Sequence, residues 1–311
     1  MKETVYLIGG SGFVGKNLAE YFIKDYNVCV FDKHVDSAFF FSEKKKSFSE
    51  NNFFFSEKDF SKCGLNTDNM PDPDYIINLA SVVTAQRDLS LFDSLLLSNH
   101  TMLLNLYNQF KDCKTLKLFI QFGSAEEYGN AVSPYLETVR EQPQSPYALV
   151  KQFTVNTAVM LYANYGFPCM VVRPGNLFGK YQSRDKFIPY VIETLKSGKD
   201  LNVTPCEQKR DFIYAEDFAF CIRKIMECHD KVRGEIVNVS GGKSIALKDI
   251  IQTLKRLLNS SSQVNYGALP YRENEAMDLK CSVEKFEKLT LTKVDFDIFK
   301  RLEELVKQNG N

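Results

Sequence analysis

The chain has no C-x-x-C pair, only three histidines, no excess charge of either sign and no long apolar run. Each absence excludes a class of protein. The eight cysteines, Cys29, Cys63, Cys113, Cys169, Cys206, Cys221, Cys228 and Cys281, are scattered, so neither zinc-ligand spacing nor a disulfide framework is expected, and reduced core thiols are. Lys+Arg and Asp+Glu both number 39, which speaks against a nucleic-acid or membrane-binding surface. No apolar stretch is long enough to span a bilayer, and the first strand pattern begins by Thr4, which leaves no room for a signal peptide. The expectation is a cytoplasmic protein with no membrane, nucleic-acid or metal partner. What is present is 311 residues with 44% hydrophobic content, enough to bury a full core in one large domain or two closely joined ones.

The most informative stretch is Gly9-Gly10-Ser11-Gly12-Phe13-Val14-Gly15, placed between the apolar run Thr4 to Ile8 and the helical pattern from Lys16 to Ile23. A strand, a glycine turn and a helix N-terminus in that order form a pyrophosphate cradle, because free backbone N–H groups and the helix dipole both favour negative charge there. Gly9 permits the sharp turn, Gly12 lets the backbone approach the phosphates, and Gly15 lets the helix pack close to the strand; Phe13 and Val14 are counted with them as cofactor contacts. Asp32 ends the next strand pattern, 23 residues after Gly9, where an acid binds the ribose hydroxyls and disfavours a 2′-phosphate. The cofactor expected is therefore NAD(H), with NADP(H) left open because Lys33 and His34 follow at once.

Strand patterns at about 4–8, 27–31, 52–55, 74–80, 116–122 and 168–173 alternate with helical or loop stretches, which predicts a doubly wound parallel sheet. Between the second and third, Phe39-Phe40-Phe41-Ser42-Glu43-Lys44 recurs as Phe53-Phe54-Phe55-Ser56-Glu57-Lys58 around the run Lys44 to Lys46. This reads as a long surface loop running into the third strand rather than as a functional repeat.

Tyr147 and Lys151 lie four residues apart just after Pro146, a helix-opening residue, so their side chains stack on one helical face. An ammonium near a phenol favours the phenolate, which suits Tyr147 to trade a proton with a substrate oxygen. Tyr107 and Lys111 share the spacing inside the helical stretch 91–112, but no glycine-ended strand precedes them, and a solvated face is expected there. Ser124 follows the apolar strand pattern Leu116 to Phe122 and Gly123, at the carboxyl end where open parallel sheets bind ligands, and so is placed to hold the oxygen that Tyr147 protonates.

With these residues in place, the chain resembles an extended short-chain dehydrogenase/reductase of the sugar-nucleotide epimerase/dehydratase family. The resemblance runs in order through Gly9 to Gly15, Asp32, Asp59-Phe60, Asn78 to Ser81, Ser124 to Gly129, Tyr147 to Lys151, Arg173 to Gly179, Arg210 to Tyr214 and Asn238 to Gly242. It implies an α/β fold: a Rossmann-type doubly wound parallel sheet in residues 1–175, and a smaller C-terminal substrate-binding α/β portion in 176–311, with segments near 208–240 returning to the Rossmann domain. It further implies that Asp59 and Phe60 meet the adenine, that Leu79, Ala80 and Ser81 line the cofactor path, and that Lys151 also binds the nicotinamide ribose. Glu126, Asn176, Arg210 and Arg272 become the expected contacts to the nucleotide sugar, the two arginines as the phosphate-binding cations. The helical stretches 91–112 and 147–165 carry more apolar positions than one buried face needs, and the resemblance implies a homodimer built on them.

Three chemistries share such a scaffold. Dehydratases of the dTDP-glucose type place an adjacent Asp-Glu pair just after the serine position, where this chain has Ala125 and Glu126; the acid needed to protonate a leaving hydroxyl is missing. The segments Gly123 to Gly129 and Gly267 to Glu275 are more similar to reductases of nucleotide-linked 4-keto-6-deoxyhexoses than to galactose epimerases. A 4-keto reductase acting on a dTDP-, GDP- or CDP-sugar is the expectation, with an NAD-dependent 4-epimerase as the alternative. A cofactor-sensing or RNA-binding relative is the non-enzyme alternative, disfavoured by the retained Tyr147/Lys151 pair and the zero net charge.

Overall fold

The computed structural model describes residues 2–40, 52–57, 59, 67, 70–84, 86–272 and 275–308. Its strands, in chain order, are β1 Thr4–Ile8, β2 Asn27–Asp32, β3 Phe53–Glu57, β4 Tyr75–Asn78, β5 Leu118–Phe122, β6 Cys169–Pro174, β7 Asn176–Phe178, β8 Leu201–Val203, β9 Lys209–Tyr214, β10 Ile236–Val239, β11 Ser244–Ala246, β12 Val264–Tyr266 and β13 Asp278–Leu279. Seven of them form a parallel sheet in the order β10-β6-β5-β4-β1-β2-β3. All five residues of β1 and of β5 are buried, because helices cover both faces of a parallel sheet and leave no polar side.

Alternate residues divide between two cores. Val5, Leu7, Ile77 and Ile120 face one helical layer with Phe22 and Phe218, whereas Tyr6, Ile8, Ile76 and Phe119 face the other with Leu103, Leu106 and Val155. Each such large side chain contributes roughly 1.5–3 kcal/mol when fully removed from water. The chain order reverses between β1 and β4, which makes the carboxyl ends of those two strands the switch point where ligands bind in this topology.

The six strand patterns read from the sequence are all in this sheet. Its seventh strand, Ile236–Val239, pairs with β6 after the chain has left through β7, β8 and β9. The helix Ala215–Glu227 returns with it, placing Phe218 and Ile222 in the first core. A second layer is built on β9, paired with β7, β11 and β13. Its own core of Phe178, Val191, Leu201, Phe212, Ile250 and Leu302 lies under the helices Phe187–Lys196, Leu247–Leu257 and Ile298–Gln308.

One expectation gains detail and another needs correction. The stretch 91–112 is helical as expected, with a π-helical segment, Leu96–Thr101, between Phe92–Leu95 and Met102–Phe110. Within it the side-chain amide of Asn99 donates to Leu95 O at 3.0 Å, and π insertions of this kind commonly accompany sites that must aim a side chain. Tyr107 is not on a solvated face; its ring packs edge-on against Phe167 at 5.3 Å.

The first phenylalanine cluster is also structural where it is described. Phe40 is fully buried with its ring 4.8 Å from that of Phe53, and Phe39 packs edge-on against Tyr181 at 4.7 Å. The second copy forms β3. The lysine run 44–46 lies outside the described residues.

Candidate active site

Every sheet strand that ends near the switch point contributes a residue to a single cleft of about 610 Å³. Its floor is the glycine turn after β1. Gly9 has φ +79°, the left-handed conformation that glycine adopts without steric cost, and a Cβ there would stand 2.7 Å from the Ala80 backbone. Gly15 allows a different approach from the one expected: it packs the helix Phe13–Phe22 onto Gly10 of the turn, whose carbonyl oxygen a Cβ would meet at 2.5 Å. Gly12, the N-cap, is sterically unconstrained by the protein, with only Gly9 O at 3.4 Å from a Cβ.

The helix N-terminus has no side-chain cap and no acid in its first turn, so its dipole is left for an anion from outside. Asp32 stands beside it, with its carboxylate accepting from the backbone amides of Ser11 at 3.0 Å and Lys33 at 2.8 Å. Lys33 is paired with Asp59 at 3.5 Å, and both line the cleft. A dinucleotide fits this floor: amides for a pyrophosphate, an acid at the ribose position and a cleft lined by Gly9, Gly12, Asp32 and Asp59.

The upper wall carries the chemical groups. Ser124 ends the backbone after β5 and caps the short helix Ala125–Tyr128. Ser145 caps the helix Pro146–Tyr165, accepting from the Ala148 amide at 3.1 Å with Pro146 in the first turn, and this presents Tyr147 and Lys151 inward from its first two turns. The hydroxyl of Tyr147 meets the side chains of Ser124 and Ser81. Ser81 in turn hydrogen-bonds to Asn99 of the π segment.

The pairing of Tyr147 with Lys151 is looser than the sequence suggests. The Lys151 ammonium sits 5.9 Å from the Tyr147 ring centre and donates to Phe122 O at 3.0 Å. Burial therefore pushes the Tyr147 phenol up, opposed by hydrogen bonding to Ser124 and Ser81 rather than by the lysine. Burial likewise pulls Lys151 down to about 8, against the Glu127 carboxylate, which holds it up.

The structure thus gathers Ser124, Tyr147 and Lys151 with Gly9, Gly12, Phe13, Val14, Gly15, Asp32, Asp59, Leu79, Ala80 and Ser81 in one cleft. Phe60 lies outside the described residues. The four expected sugar-nucleotide contacts are not among the cleft's lining residues. Glu126 is exposed on the short helix, and Asn176 pairs with Phe212 at the start of β7. Arg210 is held by Glu275 and by Ala276 O at 2.7 Å, while Arg272 is exposed.

Sequence reasoning missed three groups. Gln182 and Lys186 reach the cleft from the loop before Phe187–Lys196, and no local motif marks them. Glu127 carried a readable signal, the Ser-x-x-Glu spacing of a capping box from Ser124, which the structure forms in full.

Comparison with known proteins places this geometry among relatives. A model of the NAD dependent epimerase/dehydratase family matches residues 5–240. CDP-abequose synthase of Salmonella typhimurium is 30% identical over 207 residues, covering 65% of this chain and 68% of that protein. The same-named protein of Salmonella muenchen is 37% identical over 107 residues, covering 34% of this chain and about a third, 36%, of its own length. The dTDP-glucose 4,6-dehydratase of Haemophilus influenzae is 25% identical across 87% of this chain and 84% of its own. Among solved structures, UDP-glucuronic acid 4-epimerase from Bacillus cereus, in complex with UDP-glucuronic acid and NAD, superposes with a TM-score of 0.85 at 22% identity, covering 98% of this chain and 99% of that one. At that identity it supports the fold, a mostly parallel sheet flanked by helices.

Proposed function

The chain belongs to the NAD dependent epimerase/dehydratase family, and from that premise we propose that it is a nucleotide-sugar enzyme that reduces the 4-keto group of a nucleotide-linked 4-keto-6-deoxyhexose. The observation that carries the reading is the placement of Tyr147, buried in the cofactor cleft beside Ser124 and Lys151, with burial favouring the protonated phenol that a donor to a ketone oxygen starts from. The similarity to CDP-abequose synthase and the Ala125-Glu126 sequence, where a dehydratase has an acidic pair, support the same direction.

NADH, when bound, supplies the hydride for carbon 4. The uncapped N-terminus of Phe13–Phe22 and Asp32 hold the dinucleotide, and Asp32 with the Lys33–Asp59 pair favours a free ribose hydroxyl over a 2′-phosphate. Ser124 donates to the ketone oxygen and orients it. Tyr147 gives its proton to that oxygen as negative charge develops there, so that C=O becomes CH–OH while the coenzyme is oxidised. Lys151 restores the proton balance and binds the nicotinamide ribose. Glu126, Asn176, Arg210 and Arg272 complete the substrate side in this proposal; Arg210 then exchanges Glu275 for a phosphate. A homodimer is part of the same reading, with Leu97, Phe153 and Met160 left exposed on the two helical stretches that would face the second copy.

The test is to add dTDP-, GDP- and CDP-4-keto-6-deoxyglucose to the purified protein with NADH or NADPH and follow absorbance at the coenzyme band. Stoichiometric oxidation with one nucleotide is expected. Its absence, with NAD retained on the protein, would assign the 4-epimerase instead.

A further inference from the structure

Directly behind the reacting groups lies a buried acid that none of the expected roles uses. Glu127 is completely buried, its Oε1 accepts the Ser124 backbone amide at 2.6 Å, and its Oε2 accepts from Arg173 Nε at 2.9 Å. Arg173 is equally buried, extends from β6 and is shared with Glu141 at 2.5 Å. The neighbouring backbone is shaped to the carboxylate: a Cβ on Gly123 would stand 2.6 Å from Glu127 Oε1. A glycine at 123 and a glutamate at 127 therefore form a matched pair, in which the missing side chain provides the space the acid occupies.

We propose, building on the reductase reading, that Glu127 is a positioning residue whose buried carboxylate fixes the Ser124 backbone beside Tyr147 and favours the ammonium form of Lys151. The charged and titratable groups around it give the direction. Burial pushes its carboxyl up and Arg173 from β6 opposes that push, with the Tyr128 ring centre 4.7 Å from the guanidinium and Glu141 sharing the same cation. Lys151 and Tyr147 face it from the helix Pro146–Tyr165, Ser81 meets Tyr147 from the loop after β4, and exposed Glu126 adds a weaker negative influence. A negative charge in this position favours the ammonium form of Lys151, the form that binds the ribose and backs Tyr147 as its proton leaves, although the same charge also makes the Tyr147 phenol a weaker acid. A plain ion-pair partner of Arg173 would stabilise the fold without coupling to either group.

The experiment is the pH dependence of NADH binding, read by coenzyme fluorescence with no sugar present, for the wild type, Glu127→Gln, Glu127→Asp and Gly123→Ala. Binding in the wild type is expected to weaken as pH rises through about 8, where Lys151 loses its proton. In Glu127→Gln, which keeps an acceptor for Ser124 but not the charge, the midpoint should move down by about one pH unit, the lower end of what a neighbouring charge produces. Glu127→Asp retains the charge one methylene farther away and should keep the midpoint nearer to the wild type than Glu127→Gln does, even where turnover falls. Gly123→Ala, which pushes the carboxylate away without altering it, should shift the midpoint in the direction of Glu127→Gln, and it carries the test if that variant does not fold. Coincident midpoints in all four proteins, a Glu127→Asp profile that follows Glu127→Gln, or a wild-type midpoint absent near pH 8 would overturn the proposal. Failure of the reductase reading shows separately, as wild-type protein that binds NADH but does not oxidise it with any 4-keto sugar.

Discussion

Replacing Gly15 by alanine tests the link between the glycine turn and the cofactor cleft. The added methyl would meet Gly10 O at 2.5 Å and Gly10 C at 2.6 Å, and these are backbone atoms that cannot swing aside. Relief requires the helix Phe13–Phe22 to move off the turn. Overpacking of this kind costs roughly 3 kcal/mol at the upper end of its usual range, offset by about 1 kcal/mol because alanine is the better helix former. A net loss of about 2 kcal/mol corresponds to a melting temperature lower by roughly 4 °C for a chain of this size. NADH affinity should fall with it, because the helix N-terminal amides no longer point where the pyrophosphate lies. Gly12→Ala is the contrasting variant: its methyl meets only Gly9 O at 3.4 Å, so the unliganded protein should melt as the wild type does. What Gly12→Ala should lose is the stabilisation added by NAD, since its methyl occupies the cleft side of the cradle. Melts with and without NAD, together with NADH fluorescence titrations, separate the two. A Gly15→Ala protein with unchanged melting temperature and unchanged NADH affinity would refute the reasoning.

Tyr147→Phe removes the proton donor and should lower turnover by about 10²- to 10⁴-fold while leaving NADH affinity nearly intact; steady-state rates near wild type would remove Tyr147 from its role. Arg173→Met leaves Glu127 buried without its cation and should destabilise the protein by about 3–5 kcal/mol in urea unfolding. That loss should be larger at pH 8 than at pH 5. Burial already raises the Glu127 carboxyl and Arg173 is the largest influence opposing it, so the variant's folded state holds a proton that the unfolded state gives up, and stability falls as pH rises through that window. Equal losses at the two pH values would contradict the placement of an uncompensated charge.

How legible these features were in the sequence depends on the range of the interaction that forms them. The glycine turn, Asp32 and the six strand patterns were readable because a strand buried on both faces, or a turn that needs φ above zero, imposes its demand within a few residues. The spacing of Tyr147 and Lys151 likewise fixed their common helical face, with Pro146 marking the start. It did not fix the distance between ammonium and phenol, because Phe122 O, on a neighbouring strand, draws the lysine to itself. The π segment was illegible since its period departs from 3.6 only over Leu96–Thr101, inside a stretch that is apolar on several sides. Arg210 illustrates the hardest case: Glu275, its partner, is 65 residues away along the chain, and charge type alone does not distinguish a phosphate ligand from half of an ion pair. Glu127 could have been found from its capping-box spacing, although the reason for Gly123 beside it appears only in three dimensions.

The central claim, net reduction at carbon 4, is tested most directly by following the hydrogen itself. The enzyme is incubated with the nucleotide-linked 4-keto-6-deoxyhexose and NADH deuterated at the transferring position, and the product sugar is analysed by NMR and mass spectrometry. The account predicts one deuterium at carbon 4 of a 4-hydroxy product, in amounts equal to the NAD⁺ formed, at a rate about 10²- to 10⁴-fold lower with Tyr147→Phe. A 4-keto sugar recovered unchanged, with no NAD⁺ formed and no deuterium at carbon 4, would contradict it.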